Sequence, residues 1–169
     1  SSDVCSSDLV TGGVYTTNAF CAAPVTLCKR NLPQTAPRYF VINTGNANAG
    51  TGEPGMQAAQ ACCDALAKAA GITSNAVLPF STGVIGELLP AAKIVAVLPE
   101  AVRTLAVNEW DKVARGIMTT DTRPKAASRQ LQLGGKTITI TGIAKGAGDR
   151  KSTRLNSSHS QQSRMPSSA

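Results

Sequence analysis

Histidine is almost missing from this 169-residue sequence: the single one, His159, stands in a serine-rich stretch outside every periodic segment. Ser-His-Asp and Cys-His catalysis, and His-ligated metal sites, are therefore excluded unless a partner chain supplies the imidazole. Chemistry here must rest on Thr, Ser, Lys, Asp, Glu, Cys or backbone groups, with neither a metal nor a cofactor expected. Aromatic residues make up only 4%, too few for the stacking surface that single-strand nucleic-acid binders use. The net charge of +7, from 17 Lys and Arg against 10 Asp and Glu, is thus a weak pointer, and no nucleic-acid partner is expected. No run approaches the roughly 18 apolar residues of a membrane helix, and Ser1-Ser2-Asp3 lacks the basic-then-apolar order of a secretion signal. Five cysteines with no C-x-x-C pair do not form a closed disulfide framework. These absences point to a soluble cytoplasmic protein with no membrane contact.

The two ends differ in composition from the rest. Residues 1–9 read SSDVCSSDL, and seven of the 21 residues in 149–169 are Ser. Such strings bury too little apolar area to offset their ordering entropy, and both resemble translated sequencing-adapter strings. They are expected to be foreign or disordered, leaving residues 10–148 as the domain proper.

Within that domain, residues 12–17 and 24–28 have the β-branched enrichment of short strands, and Arg38–Asn43 is a clearer strand. Thr44–Gly55 reads as a Gly- and Asn-rich loop. Met56, Ala59, Cys63, Leu66 and Ala70 then recur at alternating spacings of three and four, with Gly71 as a stop, so a helix follows. Cys62 and Cys63 are expected to pack in or beside that helix core. Ala76–Ser81 reads as a buried strand and residues 90–118 as two helices parted near Asn108. Lys136–Ala144 is a strand with Ile138 and Ile140 turned to the core. The order is mixed α/β without a repeat.

Gly50-Thr51-Gly52-Glu53-Pro54-Gly55 is a literal G-x-G-x-x-G, but its first glycine stands seven positions after Asn43 and the next strand lacks a ribose-binding acid. A dinucleotide turn is rejected. Asn43, Asn46 and Asn48 make the same loop either a shaped binding surface or a loop held by its own side-chain bonds. Ser81-Thr82-Gly83 follows a buried strand, where a hydroxyl and the next N–H can converge as an oxyanion hole, or where the hydroxyl simply closes a turn. Met118-Thr119-Thr120-Asp121-Thr122 has the structural reading of a capped turn after a helix. Lys145, among small residues at a strand end, is either a solvated lysine or open to an anion.

Taken in order, these segments resemble the α-chain part of the ornithine acetyltransferase family, the glutamate N-acetyltransferases of arginine biosynthesis. The resemblance spans about residues 12–148. It rests on Tyr15-Thr16-Thr17-Asn18 with Cys21-Ala22-Ala23-Pro24-Val25, on Val41 through Gly52 (VINTGNANAGTG), and on Leu78 through Glu87 (LPFSTGVIGE). Ile117 through Thr122 (IMTTDT) and Gly142 through Gly148 (GIAKGAG) complete it. It implies a layered α/β sandwich of mixed sheets and helices, of the self-cleaving amidohydrolase type, incomplete here. It also implies acetyl transfer from N-acetylornithine to glutamate through an acyl-threonine, the Thr being freed as a new N-terminus by self-cleavage. A nucleophile whose base is its own α-amine suits a histidine-free core.

On that resemblance Thr82 and Gly83 carry over as the oxyanion hole, and Thr119 and Lys145 as substrate-holding residues. The missing β-chain of the same precursor is the implied partner, in an α2β2 assembly; use of acetyl-CoA as a further donor stays open. After Gly148 the sequence departs from the family's Ala-Thr-Met-Leu cleavage segment, running straight into Asp149-Arg150-Lys151. The nucleophilic Thr is therefore expected to be missing and this chain alone to be an inactive fragment. Two other readings remain open: an N-terminal-nucleophile aminopeptidase of the same fold, and a non-enzymatic basic interaction module.

Overall fold

The computed structural model describes residues 10–146; the expectations for residues 1–9, for 149–169 and for His159 lie outside the described residues. The chain divides into two compact units, Ser1–Ala106 and Val107–Ala169.

The first unit is built on a parallel β-α-β crossover. Strand β1 (Tyr39–Asn46) leads through a short loop into helix α2 (Gly52–Ala70), and strand β2 (Val77–Val84) returns beside β1. The register pairs Tyr39 with Val77, Val41 with Pro79 and Gly45 with Gly83. Helix α2 buries Ala59, Cys62, Cys63, Leu66 and Ala67, the 3.6-residue stripe that its spacing predicts. It ends where Gly71 adopts the left-handed conformation (φ 68°) and its N–H bonds Ala67 O, the C-terminal stop read from the sequence. Cys63, Leu66 and Ala67 pack with Val41, Val77 and Leu98 of helix α3 (Ala91–Arg103), while Ala59 and Met56 pack against Ala23 and Leu27 of helix α1 (Ala23–Asn31). Helix α2 therefore joins both apolar clusters. Burying a Leu or Val of this kind contributes about 1.5–3 kcal/mol each.

Two expectations are corrected in this unit. Residues 24–28 form no strand but most of α1: the buried positions Ala23, Leu27, Cys28 and Asn31 follow helical spacing, Pro24 occupies the first turn, and Lys29 and Arg30 the last. β-branched Val25 and Thr26 misled the local reading. Residues 12–17 belong to no helix or strand. Helix α1 lies along the outer edge of β2, where the Cys28 thiol donates to Pro79 O (3.3 Å) and the Asn31 amide to Val77 O (3.3 Å). These donors satisfy alternate carbonyls of a strand edge that would otherwise stand unpaired. Pro79, which has no N–H to offer a ladder, is suited to such an edge. The sheet face opposite α2 carries Phe40, Ile42 and Phe80, each 42–54% exposed. The two Phe rings meet edge to face at 5.3 Å.

The second unit holds helix α4 (Trp110–Gly116) and an antiparallel hairpin of β3 (Lys125–Leu133) and β4 (Lys136–Ala144). Asn108, at φ 76°, marks the break between α3 and α4, as expected. Strand β3 was not anticipated, although Gly134 and Gly135, at φ 57° and 76°, are a hairpin turn signal. The expectation that Ile138 and Ile140 face the core is corrected, for they are 37% and 50% exposed. They share one face of the hairpin with Leu131 and Leu133, while Ser128–Thr141, Gln130–Thr139 and Gln132–Thr137 hydrogen-bonded pairs line the other. Alternation fixed the face, which the described residues leave partly exposed.

Candidate active site

In the first unit the nominated residues lie where β1 and β2 end. Thr44 is level with Thr82 and Gly45 with Gly83, after which a bulge at Asn46 breaks the register. Open parallel sheets bind ligands beyond the carboxyl ends of their strands, and Thr82 (half-buried) and Gly83 (exposed) sit at that end. Gly83 has φ 139°, and a Cβ there would lie 2.2 Å from the Gly45 carbonyl carbon and 2.6 Å from the Asn46 nitrogen. Only glycine lets the two backbones approach so closely.

The three asparagines of the loop hold these strand ends. Ser81 Oγ donates to Asn43 Oδ1 (2.5 Å), and Asn43 Nδ2 donates to Asn46 O (2.8 Å). Asn46 Nδ2 reaches the carbonyls of Glu87 (3.1 Å) and Leu88 (3.3 Å), and its Oδ1 accepts from the Asn48 N–H (2.7 Å). Asn48, fully buried at φ 47°, donates to Gly55 O (2.9 Å) and accepts from Thr51 Oγ1 (3.1 Å). Of the two readings of this loop, the one in which its own side-chain bonds hold it accounts for all three asparagines. The G-x-G-x-x-G string is the start of α2 and its lead-in; a cleft of about 260 Å³ there is lined by Cys21, Thr26, Thr51, Glu53 and Met56 among others, not by Thr82. The thiols of Cys28 and Cys63 are pushed up to about 11 and about 12 by burial, so both act as packing groups rather than nucleophiles.

In the second unit Lys145 Nζ donates to Thr119 Oγ1 at 3.1 Å, joining two nominated residues 26 positions apart. Both are exposed, so an ammonium and a hydroxyl are presented together to solvent, a pairing suited to a carboxylate. Behind them is a group that sequence reasoning treated only as part of a capped turn. The Asp121 side chain is 1% exposed. Its Oδ1 accepts from Lys125 Nζ (2.5 Å) and from the Gly146 N–H (2.6 Å), and its Oδ2 from the Thr119 N–H (3.3 Å). The Lys125 ammonium bond, followed by those two N–H bonds, holds the Asp121 carboxyl down at about 2, against the opposing effect of burial. Among the described residues, no group of three or more His, Cys, Asp or Glu could hold a metal ion, and no helix is long and apolar enough to cross a membrane.

A parallel β-α-β crossover in one unit and an antiparallel hairpin with a helix in the other make this a mixed α/β protein. The chain belongs to the ArgJ family, whose family model matches residues 4–152. It is 57% identical over 144 residues to the arginine biosynthesis bifunctional protein ArgJ of Pseudomonas syringae pv. tomato, covering 85% of this chain and 35% of that protein. The chain spans about a third of the length of the curated relatives it matches. Among solved structures it is similar to the ArgJ protein of Bacillus halodurans (32% identity, TM-score 0.71, 83% of this chain and 74% of that one). It is likewise similar to the ornithine acetyltransferase of Mycobacterium tuberculosis complexed with ornithine (32% identity, TM-score 0.75, 86% and 78%).

Proposed function

We propose that this chain is part of a glutamate N-acetyltransferase that moves an acetyl group from N-acetylornithine to glutamate. The observation that carries the reading is the Lys145–Thr119 contact: donor and acceptor substrates share an α-carboxylate, and an ammonium beside a hydroxyl is the pair that would hold it. The similar structure from Mycobacterium tuberculosis, whose bound molecule is ornithine, supports the same substrate class.

In the proposed reaction a Thr hydroxyl, deprotonated by the α-amine that self-cleavage exposes on the same residue, attacks the acetamide carbonyl of N-acetylornithine. The Thr82 hydroxyl and Gly83 N–H take the charge that develops on the carbonyl oxygen. The carbon–nitrogen bond breaks, the proton goes to the leaving amine, and ornithine departs from an acetyl ester on Thr. The glutamate α-amine then attacks that ester, restoring the hydroxyl and giving N-acetylglutamate. The nucleophile belongs to the family's Ala-Thr-Met-Leu segment, which is not in this sequence, so the 169-residue chain alone turns over no substrate. The full enzyme acts in the cytoplasm as an α2β2 assembly; acetyl-CoA is the remaining candidate donor.

The test is a pair of variants in the full-length enzyme carrying this segment. Thr82→Ala is expected to lower kcat about 10²–10³-fold with KM little changed, because its donor acts on transition-state charge. Lys145→Ala is expected to raise KM for both N-acetylornithine and glutamate, since it acts on the ground state too. No transfer by the unmodified full-length enzyme, or a Thr82→Ala kcat within about threefold of it, would refute the reading.

A further inference from the structure

Thr119 and Lys145 stand in segments that no helix or strand fixes: Thr119 is in a bend after α4, and Lys145 follows the last residue of β4. Their contact spans two stretches of chain whose backbone groups must be held by something else. Asp121 takes the Thr119 N–H on one carboxylate oxygen and the Gly146 N–H on the other. Lys125, at the start of β3, closes the arrangement by donating both to Asp121 Oδ1 and to Gly146 O (2.6 Å). Both backbone polar groups of Gly146, the residue next to Lys145, are thereby engaged. Gly146 also sits at φ 146°, which glycine reaches because it has no Cβ, and a glycine has wide backbone freedom to lose when its polar groups are pinned.

We propose that Asp121 and Lys125 are positioning residues, a buried carboxylate and a half-exposed ammonium that set the Thr119 hydroxyl and the Lys145 ammonium side by side for the α-carboxylate of an amino-acid substrate. Neither touches that substrate. Asp121 ties the two chain segments together, and Lys125 neutralises the carboxylate so that its charge does not compete for the Lys145 ammonium. A site assembled before binding does not spend binding energy on ordering its own residues, so loosening the clamp shows as weaker ground-state binding. This inference rests on the substrate-site reading of Thr119 and Lys145.

The experiment is steady-state kinetics of the full-length enzyme carrying this segment, with N-acetylornithine as donor. Asp121→Ala and Lys125→Met are expected to raise KM about tenfold or more with kcat within about threefold. Lys125→Arg is expected to restore KM to within about threefold, because a guanidinium can bond Asp121 and Gly146 O together. If Asp121→Ala fails to fold, Lys125→Met, a change at a side chain 41% exposed, carries the test alone. Unchanged KM in Lys125→Met overturns the proposal, as does Lys125→Arg being as impaired as Lys125→Met. Thr119→Ala and Lys145→Met are measured alongside. If these leave KM unchanged, the substrate-site reading fails and the clamp falls with it; if they raise KM while Lys125→Met does not, the clamp alone is wrong.

Discussion

Gly83 and Gly45 are level in adjacent parallel strands, both with positive φ, 139° and 96°, yet an added methyl group meets different surroundings at each. At Gly45 nothing lies within 4 Å of the new Cβ, whereas at Gly83 it falls 2.2 Å from the Gly45 carbonyl carbon and 2.4 Å from its oxygen. Ordinary contact begins at 3.4 Å, so the strand ends must part by more than 1 Å. Gly45→Ala therefore costs the conformational penalty alone, about 1–3 kcal/mol. Gly83→Ala adds an overpacking cost of about 1–3 kcal/mol that falls on backbone and cannot be relieved by a rotamer change. The total is a large part of the ~5–15 kcal/mol that holds a domain together. Urea unfolding of the two variants, followed by far-UV circular dichroism, reads the difference directly as the shift in midpoint at constant slope. Gly83→Ala is expected to be the less stable by at least ~1 kcal/mol. Equal midpoints would refute the close approach of β1 and β2 at this position, and with it the physical reason for a glycine in the proposed oxyanion pair.

The asparagine loop gives a second stability prediction: Asn48→Ala, which removes the bonds to Gly55 O and Thr51 Oγ1 and places Ala at φ 47°, should cost about 2–4 kcal/mol. Asn48→Gly should cost roughly 1 kcal/mol less, because glycine accepts that backbone; equal losses in the urea midpoint would contradict the strain argument. The Asp121 carboxyl is held at about 2 against an ordinary value of 3.8, so its clamp is at full strength above about pH 4 and is lost as pH falls through about 2. Hydrogen exchange at the Gly146 amide should lose protection as pH falls through that range, and at higher pH in Lys125→Met, which removes the largest cause of the depression; a flat protection profile would refute the bond. Native alkylation with iodoacetamide at pH 8 should spare the buried Cys28, Cys62 and Cys63 and modify the half-exposed Cys21, all four reacting in urea; peptide mapping that finds Cys63 labelled in the native chain would contradict its burial.

Period and punctuation along the chain determined helix α2 with its Gly71 stop, the two parallel strands, the break at Asn108 and strand β4. Those signals are local, since the stripe of a helix or the glycine that ends it is set by its near neighbours. The ordered motifs from Val41 through Gly148 likewise sufficed to identify the family, because they are long and their sequence order needs no geometry. Tertiary structure decided what depends on a distant partner. Residues 24–28 are helical because their burial pattern is met by α2 and by the edge of β2, which outweighs the strand preference of Val25 and Thr26. Ile138 and Ile140 alternate correctly but are exposed, since alternation says which residues share a face and not what covers it. Gly83 is a glycine because of the Gly45 backbone 38 residues earlier, and Asp121 finds one of its partners in an N–H 25 residues later. Contacts across such separations have no period in the sequence to reveal them; they exist only once sheet register and loop closure have brought the two backbones together.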